Sequence, residues 1–218
     1  MARSDYGIYL PLLQRIEDEP ELELRLIVAG MHLLPEFGMT VRMIEKDGFR
    51  ISEKVEVRAK DDSPEGIAGA IGAGVAGYAR VYSRNRPDML VVLGDRYEMY
   101  AAALAALLFN IPVAHIHGGE LSQGAVDDAL RHSMTKLSHL HFVSTEEYAR
   151  RVIQLGEEPW RVTVSGALSL DNLQSVKLFE KDKLESIIGI PLAPPPLLVT
   201  FHPVTLEYED TEYHITEL

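Results

Sequence analysis

Apolar and polar positions alternate along this chain in two distinct rhythms. Leu22–Ala29, Met89–Leu93, Ile111–Ile116, His141–Ser144 and Arg161–Ser165 are short apolar runs that end in polar or charged residues. Runs of that length and content predict buried parallel strands. Between them, Glu65–Ser83, Tyr97–Phe109, Asp127–Leu137 and a segment from Thr145 to Leu155 carry helical spacing. Thr145-Glu-Glu-Tyr has the residues of a capped helix start. Asp171–Ile188 is expected to be helical as well. Strands alternating with helices predict an α/β fold with a Rossmann-like, doubly wound parallel sheet.

Both ends depart from that rhythm. Tyr6–Glu17 already reads as a helix, so the strand that ordinarily opens such a domain is missing. Near the other end, Pro191-Leu-Ala-Pro-Pro-Pro196 reads as a stiff linker. A further strand, Leu197–Phe201, is expected after it, then the start of another helix. The expected organisation is a first domain over 1–190, a linker over 191–196 and the start of a truncated second domain over 197–218.

At 218 residues the chain can bury a full core without covalent staples. Cysteine is absent, which excludes disulfides and thiolate metal sites and fits a reducing, cytoplasmic setting. No run is long and apolar enough to span a membrane, and the first residues lack the apolar core of a signal peptide. A net charge of −12 argues against nucleic acid as a partner. A small phosphorylated ligand is still allowed, because it needs only a few local cations or a helix N-terminus.

The candidate chemistry collects where strands end, which is where open α/β sheets bind ligands. Gly94-Asp95-Arg96 follows one strand. Asp95 either acts as a base or caps the next helix, and Arg96 can grip a phosphate or a carboxylate. His115-Ile-His117-Gly-Gly-Glu120 follows the neighbouring strand. Alternation would put both imidazoles on one strand face, a spacing that suits a metal, although no third ligand completes a familiar zinc pattern. The two glycines leave backbone N–H groups free to face an anion.

Asp127-Asp128-Ala-Leu-Arg131-His132 opens a helix with i,i+4 pairs between Asp127 and Arg131 and between Asp128 and His132. It reads either as a solvated, salt-bridged start or as a further wall of the same crevice. Arg3-Ser4-Asp5 precedes a helix and is either an anion-binding N-terminus or a disordered end. His202, before Pro203, is either a structural histidine or a residue facing the cleft. His139 and His141 read as core or surface residues.

Taken in order, Arg3-Ser-Asp5-Tyr-Gly7, Gly30-Met-His32-Leu, Gly94-Asp95-Arg96, His115–Glu120, Asp127–Lys136, Ser165-Gly166 and His202-Pro-Val-Thr205 resemble the hydrolysing UDP-N-acetylglucosamine 2-epimerases of sialic-acid biosynthesis. The resemblance covers essentially the whole chain. It implies the N-terminal half of a glycosyltransferase-B-like fold, with the first strand and most of the nucleotide-binding second domain absent. It implies C2 deprotonation with loss of UDP to a 2-acetamidoglucal, then hydration to N-acetylmannosamine, with no cofactor and no metal. By position, Asp95, His117, Glu120, Asp127 and His202 would be catalytic. Arg3, Asp5, His32, Arg96, Asp128, Arg131 and His132 would line the sugar or phosphates. The implied partners are a UDP-sugar and further copies of the full-length protein, with neither nucleic acid nor membrane. Many relatives carry Glu where this chain has His117. Either His117 takes over as the C2 base, or the chain handles another 2-acetamido sugar such as a di-N-acetylbacillosamine derivative. The rivals are a non-hydrolysing epimerase, a nucleotide-sugar-binding module without turnover, and a metal-dependent hydrolase using His115 and His117.

Overall fold

The computed structural model describes residues 1, 3–61, 63–175, 177–202 and 205–218. In chain order the elements are α1 (Tyr6–Glu17), β1 (Leu26–Ala29), α2 (Val41–Lys46), β2 (Ile51–Val55), α3 (Pro64–Arg84), β3 (Leu90–Leu93), α4 (Tyr97–Leu108), β4 (Val113–Ile116), α5 (Val126–Leu137), β5 (Leu140–Val143), α6 (Glu146–Gln154) and β6 (Val162–Val164). Short helices α7 (Asn172–Ser175), α8 (Lys181–Ile188) and α9 (Thr211–Thr216) follow. All the strand pairs are parallel, in the order β3-β4-β5-β6 and, separately, β1-β2. The α/β, parallel reading of the sequence is thereby met.

Alternating strand residues feed two cores. Ala29 and Val92 pack with Val55, Tyr78, Tyr82, Met99 and the alanines of α4 on one face. Val28 and Leu93 pack with Tyr9, Leu13, Val41 and Ile44 on the other. Side chains of successive strand residues point to opposite faces, so a strand buried on both must be apolar throughout. Small residues let the two long helices approach: a Cβ on Gly74 would lie 3.0 Å from Ala101 Cβ.

Between β1 and β3 the sheet is interrupted by an apolar groove of about 400 Å³ whose lining includes Leu26, Ile27, Leu90 and Val91. Met1 lies along β1 there: its amino group donates to Ile27 O at 2.7 Å and its carbonyl accepts from Ala29 N at 3.1 Å. One more parallel strand in this groove would join the two sheets.

Four expectations are corrected. The first strand is shorter than Leu22–Ala29, because Leu22 is exposed and only Leu26–Ala29 finds β2 to pair with. α2 and β2 have no counterpart in the pattern reading. β2 is an edge strand of polar, alternating residues and lacks a continuous apolar run. The helix expected over Asp171–Ile188 is split into α7 and α8. Leu178 and Phe179 between them are 72% and 60% exposed, so no burial offsets the entropy of an unbroken helix there. The strand expected over Leu197–Phe201 does not form. Leu197 and Leu198 are 93% and 95% exposed, and no neighbouring strand supplies hydrogen-bond partners.

Candidate active site

The carboxyl ends of β3, β4 and β5 and the start of α5 meet in one polar cluster. Gly94, at φ +73°, turns the chain out of β3 and presents Asp95. β4 ends at Ile116, and His117 leaves the strand at φ +63°. A non-glycine residue in that region stores about 1 kcal/mol or more. The glycine pair follows: Gly119, at φ +79°, packs so tightly on α6 that a Cβ would lie 2.5 Å from Tyr148 O. The loop then returns Glu120 and Ser122 towards α5, where Arg131 projects back from the second helical turn.

Arg131 is the hub. It pairs with Asp95 through Nη2, and its Nη1 lies 3.9 Å from Glu120 Oε2. Ser122 Oγ donates to Asp95 Oδ2 at 3.3 Å. Glu120 Oε1 accepts from Ser144 Oγ at 2.8 Å and lies 2.5 Å from His117 Nδ1. Asp128 Oδ1 accepts from Ser122 N at 2.8 Å, and its other oxygen is 3.6 Å from His132 Nε2. The cluster is largely withdrawn from water: the Arg131 side chain is 8% exposed and that of Asp95 is 17%.

These environments push two carboxyls apart. Burial, helped by the nearby Asp127 charge, raises the Asp95 pKa despite the Arg131 and Ser122 contacts. Burial acts on Glu120 in the same direction, but the hydrogen bonds from His117 and Ser144 and the Arg131 charge outweigh it, so its pKa is lowered. Two neighbouring carboxyls shifted in opposite directions differ in proton affinity, which is the arrangement an acid–base pair uses. His117 Nε2 is buried with no hydrogen-bond partner among the described residues, while its Nδ1 is held by Glu120. That atom is free to handle a substrate proton.

The structure thus brings together Asp95, His117, Glu120, Asp128, Arg131 and His132, with Asp127 half-buried and close enough to act on the charges of Asp95 and Arg96. Arg96 lies nearby over the Tyr97 ring, its Nε 3.4 Å from Glu98 Oε2. Asp5 is buried near Arg96, and burial raises its pKa. Arg3 is exposed and stacks on Phe37. His32 is 1% exposed and bonded to Thr40 Oγ1 at 2.9 Å, so it is a packed histidine outside the cluster. His202 is exposed and makes no recorded contact with the cluster; the neighbouring Pro203 and Val204 lie outside the described residues. His139 and His141 have structural partners, Val113 N and Glu157.

Ser122 and Ser144 escaped the sequence reading. Ser144 stands at the end of a third strand, a signal that was present in the pattern, whereas nothing local marks Ser122. The expectation that His115 and His117 share a strand face is corrected. His117 has left the strand, His115 Nε2 faces Gly94 O at 2.8 Å and His117 Nδ1 faces Glu120. Among the described residues no group of three or more His, Cys, Asp or Glu side chains is arranged to hold a metal ion.

Fold and cluster together define a parallel α/β domain with carboxyl, imidazole and guanidinium groups gathered at the carboxyl edge of its sheet. Residues 14–218 match the family model for UDP-N-acetylglucosamine 2-epimerase. The chain is 38% identical over 217 residues to a GDP/UDP-N,N'-diacetylbacillosamine 2-epimerase (hydrolyzing) of Campylobacter jejuni, covering 100% of this chain and 56% of the relative. It is 41% identical to polysialic acid biosynthesis protein P7 of Escherichia coli, covering 100% and 55%. Among solved structures, the UDP-GlcNAc 2-epimerase of Neisseria meningitidis bound to UDP-GlcNAc superposes with a TM-score of 0.69 at 19% identity, over 86% of this chain and 49% of that one. The chain belongs to the UDP-N-acetylglucosamine 2-epimerase family, and it spans about half the length of the curated relatives it matches.

Proposed function

We propose that the full-length protein hydrolyses a UDP-2-acetamido sugar with inversion at C2, releasing UDP and the free 2-epimeric sugar. The observation that carries this reading is the buried Asp95–Arg131–Glu120–His117 cluster, with its two carboxyls pushed in opposite directions. The hydrolysing curated relatives, matched along this whole chain, support water as the second reactant.

Ionised Glu120 holds the Nδ1 proton of His117, leaving Nε2 as the base that removes the C2 proton. The C1–O bond breaks, UDP departs with the electron pair, and a C1=C2 double bond forms. Water then adds its oxygen to C1 and its released proton restores the acid that protonates the opposite face of C2, while the proton taken by His117 passes to solvent. Asp95, whose proton affinity is raised by burial, would deliver the proton to C2. Arg131 keeps the two carboxyls together through both stages. Asp127 tunes the charge at Asp95. Arg3, Asp5, Arg96, Asp128 and His132 would bound the sugar and phosphate side, with His32 supporting that wall from within. His202 would join from the second domain, which we place over 197–218 and onward, after a first domain over 1–190 and the 191–196 linker. The proposed steps use no cofactor.

The substrate is UDP-N-acetylglucosamine or a UDP-N,N'-diacetylbacillosamine. His117 and the similarity to relatives named for the latter keep both in the assay. Full-length protein is given each sugar in heavy water. UDP release with deuterium at C2 of the free 2-epimer is expected. A free sugar without deuterium at C2 would refute elimination, and a product that retains UDP would identify a non-hydrolysing epimerase. No UDP release from either sugar would leave a binding module.

A further inference from the structure

His115 takes no part in the chemistry above, yet it is completely buried beneath the site. Its Nε2 lies 2.8 Å from the carbonyl of Gly94. A carbonyl only accepts, so Nε2 must carry the proton. The Gly94 N–H is held by Ile116 O at 2.9 Å. The peptide groups on both sides of Gly94 are therefore pinned to β4, one by backbone and one by the His115 side chain. Gly94 has already left the β region, so no strand neighbour would otherwise satisfy that carbonyl.

The other face of the ring reaches α5. Nδ1 is 3.4 Å from Thr135 Oγ1, and the one proton of that hydroxyl has two acceptors in reach, this nitrogen and Arg131 O at 3.2 Å. Gly118 rests on both groups: a Cβ there would lie 3.1 Å from His115 Nδ1 and 3.3 Å from Thr135 Oγ1. One ring thus touches the turn that carries Asp95, the helical turn that carries Arg131, and the loop between His117 and Glu120.

Resting on the function proposed above, we propose that His115 is a positioning residue: as the neutral Nε2–H tautomer it sets Asp95 against Arg131 and seats the Gly118–Gly119 loop. Burial supports the neutral form, pushing the imidazole pKa down to about 4. The surrounding charges and imidazoles are Arg131 on α5, His141 on β5 and His117 on the loop, all of which oppose a second positive charge when they carry one. The ring keeps one tautomer through neutral pH and never competes for the substrate proton. A misplacement of about 1 Å at Asp95 is enough to cost on the order of a hundredfold in rate.

The test uses the full-length protein with His115→Leu and His115→Gln; Gln carries an N–H donor at the reach of Nε2. At a temperature where each variant is folded, His115→Leu is expected to lose at least about tenfold in kcat with KM within about threefold. His115→Gln should recover most of that loss. Carbon-13 titration of the Asp95 carboxyl should report a displaced pKa in His115→Leu and its return in His115→Gln. Nitrogen-15 spectra of the wild-type imidazole should show protonated Nε2 and bare Nδ1 at pH 7. An Nδ1–H tautomer or a cation at pH 7 overturns the proposal, as does an unchanged kcat in folded His115→Leu, or a Gln variant no better than Leu. If wild-type protein turns over neither sugar, the functional reading fails instead, and the two spectroscopic measurements still decide the role of His115. Should His115→Leu not fold, the wild-type tautomer and the Gln variant carry the decision.

Discussion

Replacing Arg131 by Met removes a cation placed against both Asp95 and Glu120 while keeping most of the buried alkyl volume. The gross attraction between Arg131 and Glu120 at 3.9 Å is about 4 kcal/mol for an effective dielectric of about 20. The Asp95 contact is closer and more buried. Desolvation cancels much of this, and breaking such a pair on one side costs about 3 kcal/mol, because part-buried carboxylates are left without that counter-charge. For a chain of this size that is about 6–12 °C in Tm at pH 7. The dependence on pH separates charge from packing. In the wild type, the lowered Glu120 pKa contributes stability that is present above the unfolded value of 4.5 and is lost as pH falls through the folded pKa. Asp95 acts in the opposite sense: its raised pKa is a penalty at neutral pH that is relieved on acidification. Without Arg131 the Asp95 carboxyl is raised further and Glu120 is lowered less, so the stability lost is largest at pH 7 and shrinks as pH falls and the carboxyls take up protons. Differential scanning fluorimetry should therefore show a gap between wild type and Arg131→Met that narrows from pH 7 to pH 4. Adding Asp95→Asn to Arg131→Met should restore part of the Tm. A gap independent of pH would refute the electrostatic reasoning and assign the loss to packing.

His117→Gly relieves the left-handed backbone but adds chain entropy, so its stability should stay within about 1 kcal/mol of wild type by denaturant titration. Its UDP release should fall by at least about a hundredfold, and near-normal turnover would remove His117 as the C2 base. Gly119→Ala must place a Cβ 2.5 Å from Tyr148 O and 2.9 Å from Val152 Cγ2 at a positive φ. A loss of at least about 2 kcal/mol is expected in chemical denaturation, together with loss of the loop that seats Glu120. An unaltered midpoint would show that the loop and α6 separate easily.

The strand ends were legible because a strand buried on both faces leaves no room for polar residues until it stops. Asp95 and Glu120 could therefore be assigned to one crevice from Met89–Leu93 and Ile111–Ile116 alone, whereas the following helix left Arg131 either solvated or in the wall of that crevice. His117 illustrates the limit. Alternation along a strand places it beside His115, but the chain turns at Ile116, and its φ of +63° sends the ring towards Glu120 instead. His32 looks the same in sequence as a ligand-facing histidine, and only packing against Tyr6 and Thr40 makes it a core residue. Leu197–Phe201 has every local property of a strand and is not one, because a strand is defined by partners that the local sequence does not contain.

By itself the sequence determined the rhythm of parallel strands and helices, the sheet edge where chemistry collects, and the acid, base and cation types delivered there. Those are consequences of local periodicity and of what can be buried. Tertiary structure alone decided the direction in which each carboxyl's pKa moves, which histidine packs beneath the cluster and which one turns towards Glu120, and that Arg131 joins the two carboxyls. Such properties depend on distances of 3–4 Å between residues up to 36 positions apart, and on how much water each group loses when those residues meet.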